Sequence, residues 1–577
     1  MTMLRKDSFR SLGVILALAL TVMIPMGYIA VAAAWDMDDW EHSYKTESDL
    51  LTNIVRTDAG YVSGTSMDTL LVTNGNPQGP VSSVLAGTKG EPVRIYRGIP
   101  YAAPPVGNLR FKPPQPVTPW SGIRECSAFS KWPPQAFPAM TRLGYLMDDS
   151  MSEDCLYLNV ITPAKRKHER LPVLVWLHGG GLTTQSGTRS GYNTPAQAQE
   201  GVVTVSVSGR LDVMGFFAHP LLSAESPMGA SGNYGMLDLV AALKWVKENI
   251  AAFGGDPDKI GIWGQSGGGQ KVNWLMTSPL SNGLFNAAVS QSGSGGGLPL
   301  ATQHTRGVAL FTKLGISTLA QLRALPWQDI QLAAGGGGFS TNPTIDGWSQ
   351  IDTIQNVFAA GKQHNVPFII GIAHTEWTPT NFLVTLMPTL KSSGSPTYVF
   401  VHTHVPPGWK PAKAWHSFEN GYIFHAITAN SPNNFNDYAI AAGAPHTTGP
   451  GSGPTDAGWT YGRSLRYPSP CGPTQWSGVT ITDAMWNWED AWHEDFMSRT
   501  WIHFAVTGDP NLPHHALTGP ILPKWLPYDP AVDQFMALDV TPVVEPGFSK
   551  PTTGGVLPIP IPVYTTPFRG YSGPPPF

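Results

Sequence analysis

The chain has 577 residues, a formal net charge of −4, only 13% charged residues, 62 glycines and 54 prolines. A near-neutral balance without a basic stripe excludes an electrostatic nucleic-acid binder, while 42% hydrophobic residues suffice for a large buried core. So little charge with so much Gly and Pro points to a loop-rich exported protein.

At the N-terminus, Arg5, Lys6 and Arg10 precede an apolar run from Leu12 to Ile29, then Ala30-Val31-Ala32-Ala33-Ala34. This is the layout of a secretory signal peptide over 1–34, with cleavage after Ala32 or Ala34, leaving no stable membrane span. The alternative is an uncleaved anchor, since the run reaches the lower limit for crossing a bilayer. An acidic, Trp-containing arm follows over 35–56. From Thr57 to about residue 544, strand and helix patterns alternate, which predicts an α/β layering around a mostly parallel sheet.

Val173-Leu174-Val175-Trp176-Leu177 reads as a buried strand and runs into His178-Gly179-Gly180-Gly181. Val202 to Val207 is a second such strand. Gly235 to Phe253 reads as a helix with Leu237, Val240, Leu243, Trp245, Val246 and Ile250 as its apolar positions. Ile260-Gly261-Ile262-Trp263 is a third strand, and segments 281–293 and 366–373 supply two more. Residues 427–482 form a Gly/Pro-rich insertion, and 545–577 a Pro-rich tail with no function assigned. Of the three cysteines, Cys126 and Cys155 are expected to pair in an exported chain, leaving Cys471 as a buried thiol.

The third strand opens onto Gly264-Gln265-Ser266-Gly267-Gly268, a G-x-S-x-G turn ahead of a helix. That context holds a serine hydroxyl exposed at the top of a sheet and makes Ser266 the candidate nucleophile. Glycines after the Val173 strand leave backbone N–H groups open to an oxyanion. Together with Tyr96-Arg97-Gly98-Ile99-Pro100-Tyr101-Ala102, Ser152-Glu153-Asp154-Cys155-Leu156, Phe253-Gly254-Gly255-Asp256-Pro257, Gln291-Ser292-Gly293 and Phe504-Ala505-Val506-Thr507-Gly508-Asp509-Pro510, these motifs resemble the type-B carboxylesterase and cholinesterase-like family of α/β-hydrolases.

The resemblance implies a Ser-Glu-His triad in chain order. Glu376, after the strand Pro367 to Ile372, stands where the family carries its acid, and His416, in His416-Ser417-Phe418-Glu419, where it carries its base. It further implies an oxyanion hole from the N–H groups of Gly180, Gly181 and Gly267, with Ser292 behind the triad. Arg110 with Glu153, and Arg210 with Asp238, match two buried ion pairs. The implied activity is a serine carboxylic-ester hydrolase working without metal or cofactor on small-molecule or polymer-end esters.

Departures bear on substrate. Gln265 replaces the family's usual Glu, and the aromatic stacking position for quaternary ammonium is absent, so a choline-ester specialist is disfavoured. Only 40 residues separate Glu376 from His416, which implies a reduced helical cap and a more open pocket. Rivals for the base are His402 and His404, whose i, i+2 spacing also raises a metal pair; with no third ligand nearby, strand-edge polar residues are the better account. His514-His515 reads as a loop pair. A lipase for long-chain esters, and a non-catalytic adhesion protein on the same fold, are the competing functions. A nucleotide-binding reading of the glycine turns fails for want of a Walker Lys. The sequence sets no oligomeric state.

Overall fold

Aliphatic and β-branched runs form the strands that organise the chain. The computed structural model describes residues 51–67, 93–135, 151–335, 342–404, 414, 416–424, 459–461, 479–481, 488–513, 522–539 and 542–550. The signal-peptide reading, most of the 427–482 insertion, Cys471, His514-His515 and the tail beyond 550 lie outside the described residues.

Eleven strands make one sheet: β1 (Thr65–Met67), β2 (Val93–Pro100), β3 (Tyr157–Thr162), β4 (Leu171–Leu177), β5 (Val203–Val207), β6 (Gly255–Gln265), β7 (Ala287–Gln291), β8 (Phe368–Ala373), β9 (Thr397–His402), β10 (Gln534–Leu538) and β11 (Val543–Pro546). They lie in the order β1-β2-β3-β5-β4-β6-β7-β8-β9-β10-β11. From β5 to β10 neighbours run parallel, while the edges are antiparallel at β1/β2, β2/β3, β3/β5 and β10/β11. The parallel strands read as nearly unbroken apolar runs because both faces are covered. Every residue of β7 and β8 is buried.

The period of two divides the core. Ile260 and Ile262 join Val173, Val175, Ile370 and Ile372 in one apolar cluster with residues of the helices α1 (Tyr234–Asn249) and α2 (Gly267–Thr277). Trp263, Trp176, Ile369 and Phe400 face the other way, toward Phe496, Met497, Trp501 and Phe504 of α5 (Trp488–Thr507). The apolar positions expected for α1 are all buried, and its C-terminal part continues as a 3-10 turn, Ile250–Phe253. Among the helices between α2 and α5 are α3 (Leu300–Leu314) and the short α4 (Glu419–Ile423).

Both expected ion pairs form. Arg110 Nε donates to Glu153 Oε1 at 2.7 Å, and Arg210 Nε to Asp238 Oδ2 at 2.9 Å. The expected disulfide does not: Cys126 and Cys155 are free, buried thiols. Both sit in the larger apolar cluster, and Cys126 Sγ lies 3.9 Å from the Gly98 carbonyl. Burial pushes the Cys126 thiol up to about 11 and that of Cys155 well above its ordinary value, so both behave as small apolar side chains.

Candidate active site

Three strand ends meet at the carboxyl edge of the parallel sheet, where open α/β sheets place their ligands. β6 ends at Gln265, and Ser266 turns the chain into α2 with φ 60° and ψ −124°. A non-glycine residue there costs about 1–3 kcal/mol and persists only when its surroundings hold it. The Ser266 N–H donates to the Gln291 carbonyl at 2.8 Å, and its own carbonyl accepts from Gln270 N–H at 2.9 Å. The turn is also tightly packed, since a Cβ on Gly268 would collide with the Leu177 carbonyl.

Glu376 follows β8 in a 3-10 turn, His374–Glu376. Its Oε1 accepts from His416 Nδ1 at 2.5 Å, while its Oε2 accepts from Ser292 Oγ at 2.5 Å and from the Ala373 N–H at 3.0 Å. Burial pushes the Glu376 carboxyl up, yet the imidazole, Ser292 and the Ala373 amide outweigh it and hold the group below its usual range. For His416 burial pulls down, and the Glu376 charge and hydrogen bond outweigh it, so its pKa is raised. The short interval from 376 to 416 therefore still brings acid and imidazole into contact.

Gln265 Nε2 lies 3.5 Å from His416 Nδ1 and 3.4 Å from Nε2. Near-equal distances put this amide over the ring, not in line with either lone pair. The residue before Ser266 thus rests on the imidazole.

The glycine loop after β4 comes down on the same spot. A Cβ on Gly179 would stand 3.3 Å from Ser266 Cβ, and one on Gly267 would stand 2.6 Å from the Gly181 amide nitrogen. Gly180 and Gly181 have φ of 90° and 62°. The Gly180 carbonyl accepts the N–H groups of Thr183 and Thr184, both at 3.0 Å. The loop is therefore fixed, with the Gly181 and Gly267 backbones adjacent.

Two charged residues here were not singled out from sequence. Glu419, fully buried, accepts from Gln291 Nε2 at 3.2 Å, and burial together with the Glu376 charge pushes its carboxyl up to about 7. Its place three residues after His416 was the available signal. Lys271 on α2 is 3% exposed and donates to the His178 carbonyl at 2.9 Å. A lysine inside an otherwise buried helix was the corresponding signal.

The rival histidines are held elsewhere. His402 Nε2 lies 3.1 Å from His493 Nε2, and His404 Nδ1 pairs with Asp539 Oδ1 at 2.9 Å. His402 ends β9, an inner strand between β8 and β10, His404 follows just beyond it, and both side chains are buried. Among the described residues no group of three or more His, Cys, Asp or Glu could hold a metal ion, and no helix is long and apolar enough to cross a membrane.

A sequence profile described as the carboxylesterase family matches residues 68–393, more than half the chain, taking in Ser266 and Glu376 and ending short of His416. Among curated proteins the chain is similar to a fumonisin B1 esterase of Sphingopyxis macrogoltabida, 39% identical over 298 residues, 50% of this chain and 54% of that protein. It is also similar to carboxylesterase 1F of Mus musculus, 44% identical over 215 residues, 35% of this chain and 36% of that protein. The chain thus spans about half the length, or less, of the curated relatives it matches. Among solved structures, the Geobacillus stearothermophilus carboxylesterase EST55 at pH 6.2 superposes with a TM-score of 0.62 and 25% identity, covering 86% of this chain and 98% of that one. A PNB esterase gives 0.65 and 24%, covering 87% and 99%. The sheet and its flanking helices are those of the α/β-hydrolase fold.

Proposed function

This chain belongs to the carboxylesterase family, and from that premise we propose that it is an exported serine esterase that hydrolyses carboxylic esters through an acyl-enzyme. Ser266 is the nucleophile, His416 the base and Glu376 the acid that orients it. The observation that carries this reading is the Glu376–His416 hydrogen bond of 2.5 Å, at the sheet edge where Ser266 is held in its strained turn.

A free serine hydroxyl is a poor nucleophile. As Oγ attacks the ester carbonyl, His416 takes its proton through Nε2, the nitrogen turned away from Glu376, and then returns a proton to the departing alcohol. Glu376 fixes the tautomer and stabilises the imidazolium, and Ser292 holds the second carboxylate oxygen. The N–H groups of Gly180, Gly181 and Gly267 receive the oxyanion. Water then repeats the sequence on the acyl-enzyme. With the short 376–416 interval, the pocket admits bulky esters, small-molecule or polymer-end, in preference to choline esters.

The test is labelling with a fluorophosphonate serine-hydrolase probe, with the adduct located by peptide mass spectrometry, alongside p-nitrophenyl acetate turnover of wild type, Ser266→Ala and His416→Ala. A label on Ser266 and loss of turnover in both variants is expected. A folded sample that neither labels nor turns over points instead to a binding protein. Export is checked by N-terminal sequencing of the mature chain, expected to begin after Ala32 or Ala34.

A further inference from the structure

Buried ammonium groups are costly, and those that occur are normally matched by a carboxylate. Lys271 departs from this. The residue is 3% exposed, and among the described residues no Asp or Glu acts on its charge. Nζ donates to the His178 carbonyl at 2.9 Å and lies 3.3 and 3.5 Å from the two ring nitrogens of His178. Burial and the ammonium together hold that imidazole neutral, and an imidazole in either protonation state brings no negative charge to a lysine. The carbonyl that Nζ grips belongs to the peptide that opens the glycine loop, one peptide before Gly180. Lys271 also lies on α2, the helix that Ser266 precedes as its N-cap, so the same side chain ties the helix behind Ser266 to that loop.

We propose that Lys271 is a positioning residue of the oxyanion loop, whose ammonium gains its missing counter-charge when the tetrahedral oxyanion forms. The inference rests on the esterase reading above. In the attack step the Ser266 Oγ–carbon bond forms, the carbonyl π pair moves onto oxygen, and the hydroxyl proton goes to His416. The new negative charge appears beside the loop that Lys271 holds. A lysine that has no carboxylate partner in the resting enzyme, and whose protonated form is favoured once the oxyanion appears, gives differential stabilisation, which raises kcat more than it lowers KM.

The free enzyme makes this measurable, because burial pulls the Lys271 ammonium down to about 7. Among the described residues, His178 is the titratable group in hydrogen-bond range of Nζ, and it stays neutral. At pH 8 the resting lysine is mostly neutral and should be protonated when an oxyanion forms.

The experiment is calorimetric titration with an aryl trifluoromethyl ketone at pH 8 in buffers of different ionisation enthalpy, on wild type, Lys271→Met and Lys271→Arg. The hemiketal keeps the serine proton on His416, so the triad alone gives no net exchange. Wild type is expected to take up close to one proton, and Lys271→Met none. Lys271→Met should also lose about tenfold in kcat at nearly constant KM, with Lys271→Arg partly restoring it. An adduct that forms on wild type without proton uptake overturns the proposal, and this needs no variant to fold. No adduct and no turnover at all would instead overturn the esterase reading itself.

Discussion

Substituting Gly267 with alanine isolates the fit between the Ser266 turn and the glycine loop. The added Cβ would lie 2.6 Å from the Gly181 nitrogen and 2.9 Å from both Gly181 Cα and Leu182 N, all backbone atoms that cannot rotate aside. Restoring ordinary contact at 3.4 Å requires the loop to retreat by about 0.8 Å. Displacements of about 1 Å in a catalytic constellation cost on the order of 100-fold, and loss of one oxyanion donor costs about 100- to 1,000-fold. Gly267→Ala should therefore lower kcat for p-nitrophenyl acetate by about 100-fold with KM little changed. Stability should change little by comparison, because the overpacking cost of about 1–3 kcal/mol is partly offset by the helix preference of alanine over glycine, at most roughly 1 kcal/mol. The assay is steady-state kinetics on active-site-titrated enzyme, with urea unfolding in parallel. A folded variant with kcat within twofold of wild type would refute the argument that this contact sets the position of the loop.

Further outcomes follow from the same geometry. Glu376→Gln should keep the shape but lose the charge, lowering kcat by about 10⁴ with little change in far-UV circular dichroism. Because Glu376 raises the His416 pKa, the acid limb of kcat/KM should have its midpoint above the ordinary histidine value of about 6.5, checked by a pH–rate profile. Glu419 is raised to about 7, so its proton stabilises the fold most at low pH, and that advantage is lost between the unfolded carboxyl range and pH 7. Glu419→Gln should accordingly gain stability relative to wild type across that window, by up to about 3 kcal/mol, and then level off. Urea unfolding at pH 5 and 8 checks this, and a pH-independent difference would count against it. Asp238→Asn strands the Arg210 guanidinium in the core and should cost about 3–5 kcal/mol in the same measurement.

Much of the architecture was legible because its signals are local. Val173 to Leu177 and Phe368 to Ala373 are apolar without interruption, as strands covered on both faces must be. The glycines around Ser266 announced a turn that tolerates no Cβ. What escaped depends on contacts between distant segments. The Cys126–Cys155 pairing followed from compartment and count, whereas each thiol instead fills apolar space in the core. His402 and His404 were read as strand-edge residues because their partners His493 and Asp539 lie about 90 and 135 positions away. Lys271 and Glu419 were not singled out because their partners, the His178 carbonyl and the Gln291 amide, lie about 90 and 130 positions away in sequence.

The sheet order carries a consequence for synthesis. Ser266 and Glu376 emerge from the ribosome well before His416, and the face of the sheet behind Trp176 and Trp263 is covered by α5, near the end of the described chain. β9 likewise finds its outer neighbour only in β10, at 534–538. A growing chain thus displays Ser266 on an unfinished scaffold, and on the esterase reading hydrolysis should begin only after α5 and β10 have docked. Such long-range closure makes folding slow.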